Sequence, residues 1–358
     1  MIEYFNNFFN GKKVLITGHT GFIGSWLAII LNELSANVIG YALPPYTNKD
    51  NFVVTNLAEK ITHTIGDIRD FDKVKSTFKI YKPDVVVHLA AQPIVRKSYK
   101  IPRETYEVNV GGTLNIFEAF RISESSRVLI NFTTDKVYEN LEINRGYNEN
   151  DKLGGYDPYS SSKACSELIT SAYRSSYFNP KNEHNNKLIS SIRCGNVIGG
   201  GDWQEDRLIP DCMKAILADR EIVIRNPGNI RPWQYVLEPI RGLLTLIVKM
   251  WEGDPLFSNA WNFGPDDNQI FTVNDIIIKI INFLGKGKYK NSLNSHFEDL
   301  HETKTLILDS SKAKDYLGWK NELSINDTIE YLCQWYMEED VNYEFDVKQI
   351  NNYFNNIR

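Results

Sequence analysis

The stretch "VLITGHTGFIG", residues 14–24, limits the fold more than any other part of the chain. An apolar run, "KKVLITG", ends in glycine and leads into "SWLAIILNELSA", whose apolar residues recur at helical spacing. Gly18, Gly21 and Gly24 therefore sit at a strand-to-helix junction. The first glycine permits a tight turn there, the second lets backbone approach a pyrophosphate, and the third lets the helix pack on the strand. An anion would then rest on the N–H groups at the helix N-terminus. The spacing is GxxGxxG rather than the GxGxxG of ordinary dinucleotide dehydrogenases. Gly18, Thr20, Gly21, Phe22, Ile23 and Gly24 are the expected dinucleotide contacts of this loop.

The rest of the first half repeats the rhythm. "NVIGYAL", "HTIGDIRD", "PDVVVHLAA", "RVLINFTT" and "KLISSIRCGNVIG" read as strands. "DFDKVKSTFKIY", "ETYEVNVGGTLNIFEAFRIS" and "SSKACSELITSAYRSSY" read as intervening helices, the second of them one long helix. Strand and helix in steady alternation predict an α/β doubly wound parallel sheet of Rossmann type. Beyond about residue 197 the rhythm breaks into loops rich in Gly, Pro, Asp and Trp ("GGGDWQEDRLIP", "RNPGNIRPWQYV", "WNFGPDDN"), mixed with helices. The expected division is a dinucleotide-binding domain over 1–196 and a smaller, mainly helical substrate lobe over 197–358, with segments free to interleave.

The second strand ends in "VIGYALPP", with neither an acid to hold an adenosine ribose nor an arginine to hold a 2′-phosphate. That feature leaves NAD and NADP both open. Asp67 and Ile68 are candidates for the adenine edge. In "HLAAQP", Leu89, Ala90 and Ala91 would run beside the pyrophosphate and nicotinamide ribose, and Gln92 toward the substrate.

Composition narrows the partners. The 358 residues carry a net charge of −5 with no basic block, which disfavours a nucleic-acid surface. No apolar stretch reaches the roughly 18 to 20 residues that span a membrane. The four cysteines (Cys165, Cys194, Cys212, Cys333) show no metal-ligand spacing and read as reduced thiols, so no metal is expected. The expectation is a soluble, cytoplasmic protein.

Two polar constellations carry chemistry. "YSSSK" sets Tyr159 four residues before Lys163, on one face of a helix. A phenol is a poor base at neutral pH, and a nearby ammonium or a cationic nicotinamide favours the phenolate. The strand ending "NFTTDK" then aims Thr134, Asp135 and Lys136 at the mouth of the sheet, where ligands of open α/β folds bind. A dehydrogenase or 4-epimerase needs only a hydroxyl at that point. An added acid and amine suggest loss of water.

These blocks, together with "GNVIGGGDWQEDRLIPD", "RPWQYVLEPIRG" and "HETKTLILDSSKAKDYLGW", resemble the nucleotide-sugar 4,6-dehydratases of the extended short-chain dehydrogenase/reductase superfamily. Within them the likeness is strongest to the branch acting on CDP-glucose, and it spans nearly the whole chain. The resemblance implies bound NAD and a cycle in three parts. Tyr159, assisted by Thr134 and Lys163, takes the 4-hydroxyl proton as carbon 4 is oxidised. Asp135 protonates the departing 6-hydroxyl during elimination across carbons 5 and 6, and carbon 6 is then reduced. Lys136 is either the base at carbon 5 or a charged stabiliser of the enolate. Asn196, Arg207, Leu208, Arg231 and His301 would contact the nucleotide sugar, with Glu302 lining the same pocket. A homodimer or homotetramer paired through the "ETYEVNVGGTLNIFEAF" helix and the helix after Tyr159 is implied, as is a role in deoxysugar supply for surface polysaccharide. A 4-epimerase, a dehydratase for a dTDP, GDP or UDP sugar, and a non-catalytic NAD sensor on the same fold are the competing readings.

Overall fold

The computed structural model describes residues 1–143, 145–179, 181, 186–265, 270–291 and 303–357. Strands β1 (Lys13–Thr17), β2 (Asn37–Ala42), β3 (Thr62–Ile65), β4 (Val85–His88), β5 (Val128–Thr134), β6 (Leu188–Cys194) and β7 (Ala260–Phe263) form one parallel sheet, ordered β3-β2-β1-β4-β5-β6-β7. The order reverses between β1 and β4, which opens a crevice beyond their C-terminal ends.

Successive strand residues serve opposite faces. Val14 and Ile16 of β1 join a core on one side, and Leu15 joins another core on the opposite side. Both faces are covered, so these strands read as unbroken apolar runs rather than alternating ones. On the first face lie α1 (Phe22–Glu33) and segments from the second half of the chain. On the other lie α2 (Phe71–Tyr81), α3 (Thr113–Ile122) and α4 (Pro158–Ser176).

Two elements depart from the sequence-based expectation. The long helix expected around "ETYEVNVGGTLNIFEAF" is α-helical over Pro102–Tyr106, turns into a π-helix over Glu107–Gly112, and becomes α-helical again as α3. The wider turn carries Asn109, which is buried and holds the "AAQ" loop: Gln92 N–H donates to Asn109 Oδ1 at 2.8 Å, and Asn109 Nδ2 donates to the Gln92 carbonyl at 3.1 Å. In addition, "WNFGPDDN" is not all loop. Its first three residues fall in β7, which pairs with β6 and completes the sheet.

The stretch after residue 197 holds α5 (Leu208–Leu217), α6 (Leu237–Trp251), α7 (Val273–Leu284), α8 (Ile325–Met337) and α9 (Tyr343–Asn356), with three two-stranded ribbons between them. It interleaves with the first half. Besides β7 it contributes α6, which packs on the sheet, and α9, which packs on α1. The Tyr343 hydroxyl accepts from Asn32 Nδ2 and donates to Glu33 Oε1, each at 2.8 Å. Among the described residues, no helix is long and apolar enough to cross a membrane.

Candidate active site

A cleft of about 1670 Å³ runs over the C-terminal ends of the strands. It brings together every site residue expected from the sequence except His301, which with Glu302 lies outside the described residues.

At one end sits the glycine loop. Gly18 has φ +81°, and a Cβ there would come within 2.8 Å of the Ala90 nitrogen. A Cβ on Gly24 would meet the Gly18 carbonyl oxygen at 2.2 Å. Gly21 is less crowded, with only that oxygen near, at 3.3 Å, and it caps α1 at the cleft wall. Thr20 Oγ1 ties the loop to the end of β2 by donating to the Leu43 carbonyl at 2.9 Å. The result is a backbone cradle at a helix N-terminus, closely fitted below and open above, which suits a pyrophosphate. Ile68 is buried and Asp67 is partly exposed on the cleft wall. The Asp67 carboxylate is gripped by Arg69 at 2.6 Å, which holds it well below the usual carboxylate range.

Under the middle of the cleft lies a polar network that the sequence motifs did not reveal. The His88 ring bridges Thr17 Oγ1 (2.7 Å) and Thr113 Oγ1 (3.1 Å). Burial, reinforced by the Lys163 charge, drives its pKa down to about 3, so the ring is neutral. Asn131 donates to Ser166 Oγ and Thr170 Oγ1, and Asn109 to Ser162 Oγ, binding the sheet to α4. Asp157 caps α4 by accepting from the Ser160 N–H at 2.9 Å, and the Tyr159 N–H donates to Ser98 Oγ at 3.1 Å. The position of Tyr159 is thereby set from both sides.

Tyr159 is partly open to the cleft, with its phenol in hydrogen-bond reach of Thr134. Thr134 Oγ1 donates to Asp135 Oδ1 at 2.9 Å, and Lys136 Nζ lies 3.9 Å from that same oxygen. Asp135 is 1 % exposed, and its Oδ2 has no hydrogen-bond partner among the described residues. Asp135 lines the cleft, and a buried carboxylate oxygen without a partner is a group that a ligand hydroxyl can satisfy. Burial raises the Tyr159 pKa to about 12, opposed by Thr134 and by the Arg207 charge.

Lys163 shares the helix face of Tyr159, as its spacing requires, but its ammonium donates to the Phe132 carbonyl at 2.9 Å. Burial lowers its pKa to about 8. The Arg207 charge also acts on the phenol, and Arg207 is itself paired with Asp202 at 2.8 Å.

Among the expected substrate contacts, Asn196, Arg207 and Leu208 line the cleft, as do Arg96 and Arg225. Gln92 lines it too, but its side-chain amide is engaged within its own loop. It donates to the Ile94 carbonyl (3.2 Å) and Thr105 Oγ1 (3.1 Å), and accepts from the Ile94 N–H (2.8 Å). Arg231 is 4 % exposed and donates to the carbonyls of Ile230, Thr303 and Lys304 at 2.8, 2.7 and 3.3 Å. It thus fastens residues 303 and 304 to the cleft wall.

Comparison with known proteins agrees with this geometry. The profile of the family described as GDP-mannose 4,6 dehydratase matches residues 15–332. The chain is 44 % identical over 331 residues to a CDP-glucose 4,6-dehydratase of Salmonella typhimurium, covering 92 % of each. It is 26 % identical over 345 residues to dTDP-glucose 4,6-dehydratase 1 of Escherichia coli K12, covering 91 % of this chain and 92 % of that one. A crystal structure of a Bacillus anthracis dTDP-glucose 4,6-dehydratase in complex with NAD shares the fold, with TM-score 0.74, 22 % identity, and coverage of 92 % of this chain and 98 % of that chain. The chain therefore belongs to the GDP-mannose 4,6 dehydratase family of nucleotide-sugar dehydratases.

Proposed function

We propose that the protein converts CDP-D-glucose to CDP-4-dehydro-6-deoxy-D-glucose and water, with NAD held in the glycine cradle. The observation that carries this reading is the polar run Thr134–Asp135–Lys136 beside Tyr159, with one buried Asp135 oxygen left open. A 4-epimerase has no leaving hydroxyl to protonate and no use for such an acid, and a cofactor sensor has no use for the run at all. The choice of CDP rests on the 44 % identical relative.

Bound NAD supplies a reversible hydride acceptor. Tyr159 accepts the proton of the 4-hydroxyl, and Thr134 holds that hydroxyl in line. Asp135 delivers a proton to the 6-hydroxyl as it leaves. Lys136 sits close enough to Asp135 to serve the carbon-5 proton or the enolate that follows its loss. Lys163, anchored on the Phe132 carbonyl, offers its remaining N–H groups to the nicotinamide ribose. Asn196, Arg207 and Leu208 are the proposed nucleotide-sugar contacts, joined by Arg231 and His301. Gly18, Thr20, Gly21, Phe22, Ile23, Gly24, Asp67, Ile68 and Leu89 to Ala91 are the proposed NAD contacts. In this reading residues 1–196 mainly hold NAD and 197–358 mainly hold the substrate, in the cytoplasm where such metabolites occur.

The test is incubation of the purified protein and NAD with CDP-, dTDP-, GDP- and UDP-hexoses, scored by the alkali-induced absorbance of a 4-keto-6-deoxy product. Signal with CDP-glucose alone is the expected result. Turnover of another nucleotide instead, or of none, overturns the assignment.

Assembly follows the same reading. Leu114 (41 % exposed), Ile122 (44 %) and Leu168 (58 %) leave apolar surface on α3 and α4. We expect a homodimer through these helices, with Leu168→Glu shifting it toward monomer in sedimentation velocity. A wild-type chain that sediments as a monomer would rule this pairing out.

A further inference from the structure

We propose that Asp202, in the "GGGDW" loop, is a positioning residue that holds the Arg207 guanidinium in the cleft that Tyr159 also lines. The proposal rests on the functional reading above. Asp202 is 6 % exposed, and both carboxylate oxygens are engaged. Oδ1 accepts from the Gln204 N–H at 3.2 Å, and Oδ2 accepts from Arg207 Nη1 at 2.8 Å.

The loop itself is clamped from the opposite side. The Tyr336 hydroxyl of α8 donates to the Asp202 carbonyl at 2.5 Å. The Trp335 ring fills the space over Gly200, where a Cβ would come within 1.9 Å of it. Gly201 turns the chain at φ +82° against Asn51. A long, flexible arginine is thus held by a carboxylate on a clamped loop.

Thr134 and Asp135 from the end of β5, Asp157 from the start of α4, and Arg207 act on the Tyr159 phenol, and all of them line the same cleft. Two of these are acids that disfavour a phenolate. Lys163 is held at the Phe132 carbonyl. Arg207 is a cation opposing the acids; Asp202 pairs with it at 2.8 Å, and the Tyr336 hydroxyl also acts on it. Releasing Arg207 from Asp202 would let the guanidinium swing into the open cleft and weaken its hold on the phenolate.

The test compares wild type with Asp202→Ala, Asp202→Asn, Arg207→Gln and the double variant Asp202→Ala/Arg207→Gln. Two readouts are taken. One is the pH profile of kcat and KM. The other is ultraviolet titration of the Tyr159 phenolate with saturating NAD, read as the difference from Tyr159→Phe, which needs no turnover. Asp202→Ala is expected to move the Tyr159 limb up by about one pH unit, roughly a tenfold loss of kcat at fixed pH below the limb. Asp202→Asn, which keeps an acceptor for Arg207, is expected to recover most of that shift. The double variant should shift no further than Arg207→Gln alone, because the two residues act as one unit. Additive shifts, or an Asp202→Ala effect on KM with an unmoved limb, overturn the proposal. Failure of wild type to turn over any nucleotide sugar sinks the functional reading, while the phenolate titration still decides the role of Asp202. If Asp202→Ala does not fold, Asp202→Leu, of similar size and with no acceptor for Arg207, combined with Arg207→Gln provides the same cycle.

Discussion

Tyr159→Phe is expected to lower kcat by about 10³- to 10⁴-fold while NAD binding and thermal stability stay close to wild type. The substitution removes one oxygen at the cleft and leaves the ring. The anchors of the residue, the N–H bond to Ser98 and the Asp157 cap, are backbone or neighbouring contacts that phenylalanine keeps. General base catalysis by a positioned group contributes typically 10²- to 10⁴-fold. The upper part of that range applies because Thr134, the hydroxyl in reach of the phenol, already donates to Asp135 and is a far weaker base. A phenol near pKa 12 is almost wholly protonated at neutral pH, so proton abstraction depends on charge brought near it. Single-turnover rates with the variant, alongside a binding isotherm for NAD, check the outcome. A variant turning over within tenfold of wild type would remove Tyr159 from the chemistry.

The second large effect concerns stability and lies away from the cleft. Asp346 of α9 is wholly buried. Its Oδ1 accepts from Trp335 Nε1 at 3.0 Å, and its Oδ2 has no hydrogen-bond partner among the described residues. Burial lifts its pKa from 3.8 to about 7, and nearby Asn51 and Trp335 draw it back only in part. In the folded state the carboxyl keeps its proton until about pH 7, whereas in the unfolded chain it loses it near pH 4. Folding stability from this group is therefore full at acid pH, declines as pH rises from about 4 to 7, and is flat above. Asp346→Asn keeps the shape and the acceptor for Trp335 but has no proton to lose. Its advantage over wild type is expected to be small near pH 4 to 5 and to widen by roughly 2 to 3 kcal/mol by pH 8. Urea unfolding at several pH values measures it. A gap that does not change with pH would show that Asp346 does not titrate in this window.

How much of this was legible in the sequence differs from residue to residue. The glycine loop was readable because close backbone approach leaves no alternative to glycine, as the Gly24 contact with Gly18 shows. The strands were readable because burial on two faces demands apolar runs. Strand β7 was not, since four residues of "AWNF" beside Gly and Pro carry too little pattern and gain their strand character only by pairing with β6. The π-turn was hidden because its reason, the bonds from Asn109 to Gln92, spans elements far apart in the chain. In the site, spacing correctly put Tyr159 and Lys163 on one helix face but could not say where a flexible lysine would point. Gln92 shows the same limit. Its amide lines the cleft and also bonds Ile94 and Thr105 within its own loop, which no spacing in the sequence shows.

The late entry of β7 and α9 into the first half of the molecule bears on biosynthesis. A ribosome releases β1 and α1 hundreds of residues before Ala260–Phe263 can close the sheet or Tyr343 can reach Asn32 and Glu33. The nascent chain carries an open sheet edge and an uncovered helix flank throughout that interval, the kind of surface that chaperones shield and that aggregates form from. Order of synthesis and order of closure cannot coincide in this protein, so a chain truncated before α9 is expected to be a client of the quality-control machinery.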